Sequence, residues 1–84
     1  MSYMFYKVRF GADMKIGQRF KTIKQGEASM LRHFNTFKET ITSKEFARVD
    51  LIEIWRGSKL VKELEPVLIN DECVFRKIET IRFF

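Results

Sequence analysis

The chain is poor in the residues that most often announce a chemistry. Among 84 residues it has one cysteine, Cys73, one histidine, His33, one proline, Pro66, and four glycines. A lone cysteine cannot close an intramolecular disulfide, and a small secreted domain normally carries several, so the expected home is a reducing cytoplasm. Nor has Cys73 a metal-ligand companion, which excludes a zinc site on count and predicts a small buried apolar residue instead. The helical neighbours of His33 are Ser29, Met30, Thr36 and Phe37, with no second histidine and no carboxylate among them. General acid–base work needs such a partner, so no catalytic residue is expected and the chain reads as non-enzymatic.

Other absences narrow the field further. The apolar run that opens the chain stops at Lys7, unlike that of a signal peptide, and no window approaches the roughly 18 apolar residues of a membrane span, so no membrane partner is expected. Glu63, Glu65, Asp71 and Glu72 are acidic, but their spacing is not that of a hard-cation site. The phosphate-loop pattern is missing, as is the signature of RNA-recognition sheets. No cofactor is implied.

What is present is a core and a lopsided charge. Hydrophobic residues make up 45% of the chain and nine are Phe, which argues against disorder and for one domain spanning residues 1–84. At this size burial is modest, and a homodimer would be a natural way to add to it. Residues 5–24 carry six bases, Lys7, Arg9, Lys15, Arg19, Lys21 and Lys24, and one acid, Asp13. The rest of the chain has ten of each sign, so the whole net charge of +5 resides in this piece.

Periodicity supplies the elements. Met4, Tyr6, Val8 and Phe10 alternate with Phe5, Lys7 and Arg9, which predicts a strand. Gly11, Asp13 and Gly17 mark a loop, and residues 18–24 alternate again, completing a hairpin. Leu31, Phe34, Phe37 or Lys38, and Ile41 follow helical spacing, so a helix is expected over 27–41. It closes near Phe46, with Thr42-Ser43-Lys44-Glu45 a capping box in the alternative. Gly57-Ser58 suits a two-residue type II′ turn, pairing Trp55 with Leu60, Ile54 with Val61, Glu53 with Lys62 and Leu51 with Leu64. Pro66 should end that hairpin or mark an edge. Asn70-Asp71-Glu72 reads as a turn, and residues 73–84 fit a strand better than a helix on their β-branched and aromatic content. The expected fold is α+β, an antiparallel sheet of about five strands in the order β-β-α-β-β-β, with one helix packed on one face.

Antiparallel pairing of the first two strands would let Lys7 and Arg9 share a face with Arg19 and Lys21, with Phe5 or Tyr6 among them. Like charges facing one another repel, so such a face calls for an anion. Clustered Lys and Arg with exposed aromatics are how single-stranded RNA is gripped. The leading expectation is thus an RNA-binding protein using Lys7, Arg9, Lys15, Arg19, Lys21 and Lys24, with Phe5 or Tyr6 stacking on bases. The alternative is a protein-interaction module or homodimer whose basic face meets an acidic protein, anchored by Trp55, Phe83 and Phe84. Arg56-Gly57-Ser58-Lys59 could cradle a phosphate with turn amides and flanking bases, but the better reading is an ordinary turn with soluble flanks, since the turn needs its glycine in any case.

In size, in its aromatic opening Tyr3-Met4-Phe5-Tyr6-Lys7-Val8-Arg9-Phe10, and in a lone helix after a hairpin, the chain resembles small early counter-defence proteins of T4-type phages. The resemblance implies a compact cytoplasmic inhibitor of a host ribonuclease toxin, an antitoxin rather than an enzyme. It assigns no functional residue.

Overall fold

A computed structural model describes residues 2–9, 15–42 and 49–78, and at Lys15 and Ile16 the backbone alone. The elements are β1 (Tyr3–Val8), β2 (Lys15–Phe20), α1 (Ile23–Thr36), α2 (Glu39–Thr42), β3 (Leu51–Arg56), β4 (Lys59–Ile69) and β5 (Glu72–Lys77). One sheet runs in the order β2-β1-β3-β4-β5, with every pairing antiparallel. This is the expected α+β sheet with one main helix, extended by the single turn of α2. Because β1 is antiparallel to both neighbours, β2 and β3 are parallel with β1 between them. The helical segment carries the chain over β1, as in a split β-α-β unit.

Register decides which side chains meet the helix. Phe5 lies opposite Gln18 and Ile54, Tyr3 opposite Phe20, Ile52 opposite Leu64, and Cys73 opposite Leu68. One sheet face therefore carries Phe5, Phe20, Ile52, Ile54, Leu64 and Cys73, and α1 lays Met30 and Phe34 on it. Phe5, Phe34, Ile52 and Ile54 are wholly buried, each contributing about 1.5–3 kcal/mol. Rings meet edge to face, Phe5 on Phe20 at 5.2 Å and Phe34 on Phe75 at 6.0 Å between centroids. Cys73 is a buried free thiol within this core, as its isolation in the sequence implies.

The helix begins four residues before its expected start, at Ile23. Thr22 caps it: its hydroxyl oxygen accepts from Gln25 N at 3.0 Å, and Gln25 Oε1 accepts from Lys21 N at 3.2 Å. This Thr-x-x-Gln arrangement is a near relative of the capping box. It overrides the alternation that reads residues 18–24 as strand, so β2 stops at Phe20. Gly26, just before the expected start, lies inside α1, where a Cβ would stand 2.5 Å from Phe5 Cε1. Its lack of a side chain is what brings the helix down onto β1.

At the other end, Asn35 Nδ2 and Thr36 Oγ1 donate to the carbonyls of Leu31 and Arg32, each at 2.9 Å, and the helix stops at Thr36. Such local bonds compete with the helical ladder. Asn35 Oδ1 also accepts from Cys73 N at 2.8 Å, tying α1 to the outer strand β5. The proposed box at Thr42-Ser43-Lys44-Glu45 and a helix end near Phe46 lie outside the described residues.

Both hairpin turns follow the sequence. Gly57, at φ +61°, opens the two-residue turn between Arg56 and Lys59. Asn70 and Asp71, at φ 52° and 64°, form the primed turn between β4 and β5. Trp55 meets Leu60 as expected, but a bulge between Ile54 and Trp55 then shifts the register. Ile54 meets Lys62 instead of Val61, Glu53 meets Glu63 instead of Lys62, and Leu64 meets Ile52 instead of Leu51. Without the extra residue Leu64 would turn away from the helix, since a slip of one reverses every side chain. With it Leu64 is 3% exposed, and Lys62 stands under α1 with Nζ 2.9 Å from Glu27 Oε1. Pro66 ends the pairing with β3, as expected, while β4 itself runs on to Ile69 against β5. Glu63 O accepts from Ile78 N on the β5 side, so even-numbered positions of β4 address β3. The last pair between β3 and β4 is Ile52 with Leu64, so among the described residues the proline nitrogen meets no ladder. Glu72–Lys77 is strand, as expected. Phe83, Phe84 and the rest of that segment lie outside the described residues.

Candidate nucleic-acid interface

The basic residues do not share a face. Lys7 is opposite Ile16 and Ile52, on the helix side, while Arg19 is opposite Met4 on the other side. The parity is set by Phe5 and Phe20, both of which must reach the core, and that leaves Arg19 pointing away. Phe5 is 0% exposed, so no base can reach it. Tyr6 is half-buried on the open face, its ring lying over the space where Gly17 has no side chain.

The six also separate along the strands. β1 and β2 form a hairpin, so Lys7, Arg9 and Lys15 cluster toward its connecting loop, and Arg19, Lys21 and Lys24 are carried to the opposite end. β3 runs antiparallel to β1, with Trp55 opposite Met4, and therefore delivers Arg56 and its turn to the end where Arg19 lies. Lys59 faces Arg56 across the turn. Arg19, Lys21, Lys24, Arg56 and Lys59 are all exposed. None of the five joins the ion pairs seen among the described residues, Lys38–Asp71, Lys62–Glu27 and Arg76–Glu65. The first turn of α1 holds no acid, so the positive end of the helix dipole adds to the same region. A shallow, mainly apolar depression there is lined by Ser2, Arg19, Phe20 and Lys21.

Arg56 and Lys59 are the members that sequence reading set aside as turn flanks. Their charge was visible, but their neighbours depend on β3 lying beside β1, and no local pattern reports strand order. Trp55, on the open face, is half-buried and donates from Nε1 to Glu53 Oε1 at 3.1 Å.

His33 and Cys73 lie away from this end of the sheet, on α1 and β5. His33 packs against Phe34 and Phe37, at 5.6 and 5.2 Å between ring centroids. Burial, and then the Lys7 ammonium, push its pKa below the ordinary 6.5, with Glu39 opposing. Burial likewise raises the Cys73 thiol. Among the described residues no three His, Cys, Asp or Glu side chains converge to hold a metal, and no helix is long and apolar enough to cross a membrane. Comparison with protein-family models, curated proteins and solved structures finds no match for this chain.

Proposed function

We propose that the chain is a small non-enzymatic RNA-binding protein that grips phosphates with Arg19, Lys21, Lys24, Arg56 and Lys59. The observation that carries this is the gathering of five exposed cations, unpaired among the described residues, at one end of the sheet. Clustered cations repel one another, and a polyanion relieves that repulsion while releasing its own counterions. Lys7, Arg9 and Lys15 belong to the opposite end and contribute at most long-range attraction. The setting is the one the phage resemblance implies, a cytoplasmic inhibitor that blocks a host ribonuclease toxin by engaging RNA.

The test is binding of a fluorescent mixed-sequence RNA at several salt concentrations. Five phosphate contacts on a single strand give a log–log slope of about −3.5. Lys21→Glu combined with Lys59→Glu should weaken binding at least about tenfold and flatten the slope, with an unchanged thermal melt, whereas Arg9→Glu should do little. Equal affinity of the double variant and the parent overturns the assignment of this end. No binding at low salt, together with capture of one acidic protein, would give the same end to a protein partner.

A further inference from the structure

We propose that the outer edge of β2 accepts an extended, acidic segment of a protein partner as a further strand of the sheet. This goes beyond the RNA reading and does not depend on it. β2 is the first strand in the order β2-β1-β3-β4-β5, and no described strand lies beyond it. Hydrogen-bond parity fixes which of its backbone groups face outward. Glu63 O accepts from Ile78 N on the β5 side, so Ile52 and Leu64 address each other, and Leu51 and Glu53 turn their backbone to β1. Val8 O accordingly accepts from the β3 side, from Asp50 N at 2.9 Å. The even positions of β1 are thus taken up by β3, and Tyr3, Phe5 and Lys7 address Phe20, Gln18 and Ile16. The N–H and C=O groups of Gly17 and Arg19 therefore point away from the sheet. Gly17, Gln18 and Arg19 are all exposed.

The two outer strands differ in how they are covered. On β5, Asn35 reaches over from α1 and its Oδ1 accepts from Cys73 N at 2.8 Å, while Arg76 is paired with Glu65. On β2 the matching cover from α1 falls at Lys21, whose N–H donates to Gln25 Oε1 at 3.2 Å. Gly17 and Arg19 are left, among the described residues, as a row of donors and acceptors on which a strand can add. Charge selects the occupant. β2 contains Lys15 and Arg19 and no acid, and Lys21 and Lys24 follow closely. A second copy of β2 would set like charges against one another, whereas an acidic strand is attracted. Phosphates only accept hydrogen bonds and cannot satisfy the outward carbonyls, but a peptide backbone supplies donors and acceptors alike. The mainly apolar depression lined by Ser2, Arg19, Phe20 and Lys21 offers a seat to one apolar side chain of the added strand.

The test follows amide exchange by NMR on the isotope-labelled chain, with a short end-blocked peptide of alternating valine and glutamate as the probe. In the free protein Gln18 and Phe20 should exchange slowly, and Gly17 and Arg19 fast. Saturating peptide should slow Gly17 and Arg19 by about tenfold or more. Two versions of the peptide, N-methylated at the valines or at the glutamates, each lose the donors of one edge and keep the charge. At least one of them should bind about tenfold more weakly than the parent peptide. Arg19→Pro removes an outward N–H on an edge strand, where proline is tolerated, and should weaken the peptide by about tenfold, against about threefold for Arg19→Gln, which removes the charge alone. Slow exchange of Gly17 and Arg19 in the free protein overturns the proposal, because the edge is then already covered. Parent-like binding by both methylated peptides overturns it too, since charge then suffices. So does a lack of binding at millimolar peptide, and so does equal protection of the two amides by a mixed-sequence RNA, which would assign the edge to nucleic acid.

Discussion

Each face of the sheet presses a ring against a glycine, with opposite consequences. On the helix side Phe5 fills the space left by Gly26, and both are enclosed by the core. On the open side Tyr6 and the tip of Met4 occupy the space left by Gly17, where a Cβ would stand 2.8 Å from each. The local device is the same, an aromatic covering a bare backbone. The difference is freedom to yield: Phe5 has nowhere to go, whereas Met4 and Tyr6 are half-exposed and can swing outward. One ring is locked into the core, and the other lies against a partly exposed surface.

The largest expected effect that sharpens this contrast is at Phe34. Phe34→Ala should cost about 3–5 kcal/mol in urea unfolding, a large share of the stability of so small a domain. Trp55→Ala, on the open face, should cost clearly less. Gly26→Ala comes next. Alanine is favoured in a helix by about 1 kcal/mol, yet the clash with Phe5 should leave a net loss of about 1–2 kcal/mol. A gain in stability there would show that α1 can lift from β1. Lys62→Ala removes the half-buried partner of Glu27 and should cost about 1 kcal/mol, against about zero for Lys38→Ala, whose partner Asp71 is 85% exposed. Gly17→Ala should fall within about 0.5 kcal/mol of the parent, and a larger loss would mean that the open face is packed as rigidly as the covered one.

The smallest effect is a pH dependence at His33. Its pKa is lowered on folding, so the unfolded chain takes up a proton first as pH falls below 6.5. Stability from this group is full above that pH and declines below it, toward the folded-state value. A His33→Gln variant should show a flatter dependence of its urea midpoint between pH 7 and 5. A midpoint that rises on acidification would contradict the burial of the ring.

Several elements were legible because their causes are local. Alternation at Met4 to Val8 marks β1, Gly57-Ser58 and Asn70-Asp71 carry the backbone preferences of their turns, and an isolated Cys73 among β-branched and aromatic residues reads as core. The start of α1 was placed too late, at residue 27, because a glycine suits the position before a helix until Phe5 is known to lie beneath it. The bulge was missed because its cause is the helix above Leu64 and Lys62, not anything within the hairpin. Pro66 was legible as the end of the β3–β4 hairpin, because its missing N–H is tolerated where pairing with β3 stops.

The sequence by itself determined the number and kind of elements, both tight turns, the concentration of net charge before Gln25 and the poverty of catalytic side chains. Those properties depend on periodicity, backbone preference and composition, which a chain carries whether or not it is folded. Only the tertiary structure decided which cations stand together. The β1–β2 hairpin separates Lys7, Arg9 and Lys15 from Arg19, Lys21 and Lys24, and the docking of β3 on β1 brings Arg56 and Lys59 to the latter. Strand order is set by which hydrophobic faces best cover Phe5, Ile52 and Ile54 beneath α1, and the charged ends follow where that burial places them.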